Sequence, residues 1–552
     1  MTQTNDAAVA SSGGVGKKAV LLVFIGLMVT ELLSSLNETI FATALPTIVG
    51  QLHVVDQMQW VMTAYLLTST IALPVYGKMG DLIGRKGLFL GAIAIFIVGS
   101  TLGGFAGNMT WLIIGRAVQG IGGGGLIILS DTIVADVVPA RKRGRYMGII
   151  GSVLVLSSIA GPLVGGWLTD GPGWRWGLWM NIPLGILAIA SAAIFMRLPK
   201  IAVSKPRMDW AGMGLLAIAL TCLVLVTTWG GTTYDWGSVR IVSLIVAAVV
   251  VGVLFVLVER HAVEPVMPLT LFKDRNFNLT TIAGLIIGIA MFGTDGYMPT
   301  YLQMVTGVNA TQAGLFTLPL LLALIIVSIA TGELVNRTGH YKWLPITGAT
   351  IVAVSLFLLS RMTPDLPIWV LCSYLAVMGI GLGACMQILV VIVQNSFPAS
   401  MVGTATASNN YFRQIGALVG ASIVGSLFAA RLVRLLADQI AGGVVGGSNS
   451  ITPELVKGLP QPLHHIIVGA YNDALTPIFL FILPIVVIAV ILLCFVVEKP
   501  LATTIEHDIL PESLDIDGGD GVALAAASSS DDARTSMDSQ IEIEHHARRN
   551  TR

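Results

Sequence analysis

Charge is scarce in this sequence. Asp, Glu, Lys and Arg make up 11% of the 552 residues, against 55% hydrophobic ones, whereas a soluble domain usually carries about a quarter charged residues. A mean hydropathy of +0.83 over the whole length excludes a surface covered by water. The signs cancel as well: 31 basic and 31 acidic residues leave no net charge, so nothing points to a nucleic-acid partner. Cysteine is rare. Cys222, Cys372, Cys385 and Cys494 all sit in apolar stretches without CxxC spacing and read as small buried hydrophobes. Catalytic signatures are missing too. The chain has no HExxH, GxSxG or Walker sequence, so neither an enzyme nor a self-contained ATP-driven pump is expected. No cofactor or metal is expected either. His464–His465 and His545–His546 are neighbours, and neighbours on an extended chain point apart.

What the sequence does have is long apolar blocks. About 20 such residues span the roughly 30 Å hydrocarbon core as a helix, and blocks this continuous are not alternating barrel strands. The reading is an all-α membrane protein with about fourteen spans: 19–45, 58–77, 88–106, 111–137, 146–169, 177–196, 210–229, 241–259, 278–303, 313–333, 343–360, 367–393, 408–432 and 475–497. Alternate short loops are basic. Lys78, Arg85 and Lys86, then Arg141 to Arg145, Arg260 to Arg275, and Arg337 with Lys342 fall on one side, together with Lys17 and Lys18. The other side has Arg175, Arg240 and Arg361. Basic loops stay inside, so both termini are placed in the cytoplasm and the protein in the plasma membrane. The inner loop 397–407 alone has no basic residue. Trp60, Trp111, Trp174, Trp176 and Trp179 sit near outer span ends and fit an interfacial belt. The first block, running to about Leu45, is too long for a cleaved signal.

Two loops match. Gly77–Lys78–Met–Gly–Asp81–Leu–Ile–Gly84–Arg85–Lys86 follows span two, and Gly332 to Asn336, Arg337 and Gly339 follows span ten, 255 residues on. The expected layout is a cytoplasmic N-terminus (1–18), a six-helix half (19–200), two inserted helices (201–260), a second six-helix half (261–500) with an outer loop at 433–474, and a disordered acidic tail (501–552). Parallel halves of this kind are a transporter architecture with the substrate site between them. In the loop, Asp81 can accept hydrogen bonds from a helix N-terminus or pair with an arginine.

Gly77–Lys86 resembles the loop signature of the major facilitator superfamily. Arg116–Ala–Val–Gln119–Gly120 resembles its fourth-span motif in proton-coupled members. Gly148, Ser157, Gly161–Pro162 and Gly165–Gly166 resemble the fifth-span antiporter motif. Leu36–Asn37–Glu38–Thr39–Ile40, Trp174–Arg175–Trp176 with Asn181, and Arg413–Gln–Ile–Gly416 are similar to the fourteen-span drug:proton antiporter branch. That resemblance implies two six-helix halves with two inserted helices. It also implies proton-driven export, and a thin bendable face at Gly161–Gly166 where the halves rock. Asn37 stands where that branch commonly has Asp, and Leu82 and Ser157 depart from the loop and fifth-span patterns.

A charge inside a bilayer is costly and marks function by default. The candidates are Glu31, Glu38, Arg116, Asp131, Asp295 and Arg413, with Asp136 at the gate side. Glu31 and Glu38 share a face of span one. The repeat offset places Asp295, in span nine, at the level of Ile40. Glu31, Glu38, Arg116 and Asp295 are assigned to proton and substrate coupling, with Arg116 biasing a nearby carboxylate. A carboxyl group in a low-dielectric cavity can take a proton from one side and lose it to a cationic substrate. Gly120–Gly125 formally matches GxGxxG, but inside an apolar span it reads as a surface for close helix approach. The expected function is proton-coupled efflux of small amphipathic or cationic compounds by a monomer. The alternative is export of one metabolite, lipid or self-made antibiotic. Expected partners are small molecules, protons and the bilayer.

Overall fold

The computed structural model describes residues 17–52, 58–196, 208–231, 233–439 and 460–501. Among these the only β-pairing is an isolated bridge between Gly230 and Tyr234. Each expected span falls on a helix: α1 Lys17–Leu52, α2 Met58–Ile83, α3 Arg85–Gly104, α4 Met109–Val137, α5 Ala140–Asp170, α6 Asn181–Phe195, α7 Trp210–Trp229, α8 Val239–Glu259, α9 Arg275–Asp295, α10 Ala310–Thr338, α11 Trp343–Leu359, α12 Ile368–Gln394, α13 Val402–Gln439 and α14 Gln461–Cys494. Short pieces at Trp176–Trp179 and Met298–Val305 complete the sixth and ninth spans. Among the described residues, twelve helical segments are long and apolar enough to cross a bilayer. The helix α2 and the 17-residue α11 occupy the other two expected positions.

In one half α4 is packed between α2 and α3, and α1 lies on α5 and α6. In the other, α12 packs on α10 and α11, while α13 lies on α9 and α14. The inserted helices α7 and α8 pair with each other, and α7 also reaches α2 and α13. The halves meet along α2–α13 and α5–α10. Of α8's 21 residues only Ile241, Phe255 and Glu259 are buried. Its valines at 239, 242, 246, 249, 250 and 253 lie open, a surface suited to lipid rather than water.

The glycine run in α4 explains the tight packing of this half. Side chains at Gly120 and Gly124 would overlap the backbone of Tyr65 and Ser69 in α2, and one at Gly122 would overlap Phe96 in α3. Positions four apart share a helix face and the position between them turns away, so one run serves two neighbours.

Three expectations change. The outer loop is shorter than 433–474, because α13 continues to Gln439 and α14 begins at Gln461. Polar residues there are carried on helix: Tyr301 donates to Asn472 at 2.8 Å. Residues 440–459, the tail and 1–16 lie outside the described residues. Trp174 does not join an interfacial belt. It is 1% exposed, with its Nε1 donating to Gln51 at 2.9 Å and the Arg175 guanidinium stacked on its ring. His464 and His465 sit on the first turns of α14, not on an extended chain.

Candidate functional site

The loops after α2, α4, α8, α10 and α12 gather at one end of the molecule, joined by side-chain contacts between them. Asp81 holds the two halves together there. Its Oδ2 accepts from the Thr404 N–H at 2.6 Å and hydroxyl at 2.8 Å, and its Oδ1 from the Gly403 N–H at 3.0 Å. These donors are the first turn of α13, where the helix dipole presents partial positive charge. Arg85 closes the arrangement. It donates to Asp81 at 2.9 Å, to the Thr132 carbonyl at 2.9 Å and to Asp136. Gly84 makes this geometry accessible: at φ +90° it breaks α2 from α3, a backbone that favours glycine.

The matching loop works on the opposite seam. Gly339 ends α10 at φ +76°. Arg141, at the start of α5, donates to the carbonyls of Asn336 and Arg337, each at 2.8 Å, and so caps the last turn of α10. Arg337 itself pairs with Glu333 at 2.8 Å. Gly148 packs on the Ser328 backbone across the same seam. Gly161 instead faces Thr39 of α1 in its own half, and Gly166 has open space. The thin face toward the other half is therefore Gly144–Gly148, not the expected Gly161–Gly166. Gly161 lies more than three turns beyond Gly148 along α5 and meets a different partner as the helix crosses. Gly165 is buried, and the Pro162 side chain lies outside the described set.

Inside the apolar helices, Glu31, Asp131 and Arg413 act on one another electrostatically. They come from α1, α4 and α13, so the cluster spans the two halves. Each retains partial exposure. Asn410 of α13 donates to Asp131 Oδ2 at 3.0 Å, and Gln394 of α12 to the Asp131 carbonyl at 3.3 Å. Glu31 Oε2 is buried with no hydrogen-bond partner. Arg413 thus lies within the cluster and does not snorkel to an interface.

Farther from the basic end lies a third group. Arg116 is fully buried, sandwiched by the rings of Phe41 at 4.6 Å and Tyr65 at 4.3 Å. It donates to the Val61 carbonyl at 3.1 Å and to Gln119 at 2.8 Å. Gln119 donates to Ser100 at 2.6 Å, and Asn181 donates to Ser100 and to Asn37 Oδ1, both at 3.1 Å. The charge of Arg116 acts on Glu38, which also lies close to Tyr65. Asn37, which stands where the resembled branch commonly has Asp, is a member of this neutral chain.

The structure therefore splits the candidate coupling residues into two levels, Glu31 with Asp131 and Arg413, and Glu38 with Arg116. Asp295 ends α9, and its side chain lies outside the described set. Asn410 was missed by the sequence reading. A polar amide in an apolar span is its signal in the sequence, and it carries no charge.

A family model described as Major Facilitator Superfamily matches residues 27–421. An uncharacterized transporter of that type from Mycobacterium tuberculosis is 39% identical over 512 residues, covering 93% of this chain and 73% of the relative. A protein named multidrug transporter from Bacillus subtilis is 36% identical over 430 residues, covering 78% of this chain and 79% of its own. Among solved structures, a human organic anion transporter superposes with a TM-score of 0.58 at 14% identity, over 86% of this chain and 99% of that one.

Proposed function

The chain belongs to the Major Facilitator Superfamily, and from that footing we propose that it is a proton-coupled efflux antiporter exporting small amphipathic or cationic compounds. In this reading it sits in the plasma membrane with the basic loops and both termini cytoplasmic. The naming of relatives as multidrug transporters supports export of small molecules.

One observation carries the coupling: Glu31 presents a buried, unpartnered carboxylate oxygen in a cluster shared by both halves. A carboxylate there without a donor is stabilised either by a proton or by a cation. Both cannot occupy it, so loading one expels the other. Arg413, on the opposite half, is attracted when the site is anionic and released when it is neutral. The Asp81 latch on α13 breaks and reforms as the halves rock. No covalent step is needed.

The test is uptake of a fluorescent cation by inverted vesicles under an imposed pH gradient. Wild-type uptake follows the gradient, and Glu31→Gln abolishes that dependence. Asp295→Asn tests the carboxylate on the equivalent helix. Wild-type uptake indifferent to the gradient would remove proton coupling, and full gradient-driven transport by Glu31→Gln would remove the site assignment.

A further inference from the structure

A further carboxyl pair, buried Glu259 and half-buried Asp209, lies away from the path, on the inserted helices. Glu259 ends α8 and is 3% exposed, on a helix that turns nearly every other residue outward. Its Oε1 accepts from the Val266 and Met267 N–H groups at 3.1 and 3.3 Å. Asp209 caps α7 by accepting from the Gly212 N–H at 2.8 Å through Oδ1. The remaining oxygens, Glu259 Oε2 and Asp209 Oδ2, are both buried with no partner. The charge of Asp209 acts on Glu259. Gly212 makes room for both: a β-carbon there would overlap Asp209 and lie 3.2 Å from Glu259 Oε1.

We propose that Asp209 and Glu259 bind one proton between them, forming a proton site on the inserted pair that is separate from the Glu31 cluster. Two facing carboxylates in a low-dielectric pocket repel strongly when both are ionised, whereas one carboxyl can donate to the other carboxylate. Lys78 also acts on Glu259 and pairs with Glu264 at 2.7 Å, so its charge is divided between the two. Glu264 is 37% exposed, which places the pocket beside solvent at the basic end. Lys78 lies on the last turns of α2 with Asp81, so the site borders the latch.

Infrared difference spectroscopy of the full chain in nanodiscs at neutral pH reads this directly. Glu259→Gln and Asp209→Asn are near-isosteric, and Asn caps a helix as well as Asp. In each variant the new amide donates to the remaining carboxylate, which ionises. Each single variant should therefore lose the same protonated-carboxyl band, one carboxyl in intensity, and the double variant should lose no more. Two bands lost additively, or no band lost in either single variant, would overturn the shared proton.

Discussion

Gly332 of α10 lies so close to Gly144 of α5 that a β-carbon on it would overlap the Gly144 carbonyl. The counterpart of Gly332 in the other half is Gly77, which stands in the same relation to Gly403 and Ala407 of α13. Two helix ends related by 255 residues thus each use a glycine to admit a helix of the opposite half. Gly332→Val should disfavour the state with the basic end closed by about 1–3 kcal/mol, roughly 5- to 150-fold in population. Maleimide labelling of a cysteine placed at buried Ala407 should rise accordingly, and unchanged labelling would show that the seam is not what closes that end.

Removing the latch acts in the same direction by a different route. Asp81→Ala leaves two N–H groups of α13 and one face of Arg85 without an acceptor. A loss of about 2–3 kcal/mol in the closed state is expected. Asp81→Asn, which keeps an acceptor, should recover part of it in the same labelling assay.

Arg116 is held by two rings and two acceptors, and Lys cannot reproduce a planar, stacked fork. Arg116→Lys should destabilise the fold by about 2 kcal/mol or more, read as a lower unfolding midpoint in detergent. Gln119→Leu should lower it too, because Arg116 and Ser100 both lose a partner.

Outside the membrane, Glu498 ties the segment after α14 to the loop before α11. Burial alone would push its carboxyl up. The Tyr341 N–H at 2.7 Å, the Lys342 N–H at 3.3 Å and His340 outweigh burial and hold it below its ordinary value of 4.5. A lowered carboxyl contributes stability above that ordinary value and loses it as pH falls through the folded value. The protection factor of the Tyr341 amide, corrected for the intrinsic pH dependence of exchange, should therefore fall below pH 4.5 in the wild type. In Glu498→Gln it should be lower and should not change with pH across that range.

Much of the architecture was legible because lipid imposes a simple rule. Each long apolar block had to become a helix, and the basic loops had to fall on one end. The loop repeat was readable for a similar reason: Gly84 and Gly339 mark positive φ, and Gly77 and Gly332 mark close approach. Helix ends beyond the apolar runs were not readable, since α13 and α14 continue with polar residues that tertiary partners satisfy.

The sequence by itself determined which residues are anomalous: Glu31, Glu38, Arg116, Asp131 and Arg413 are charges in apolar helices. Only the tertiary structure decided their company. Arg413 joins Asp131 and Glu31 across hundreds of residues, and Asn410 joins them without any charge to announce it. Burial cost is a local property of one side chain and can be read along the chain. Partnership depends on how helices cross, and crossing is set by packing that no single segment contains.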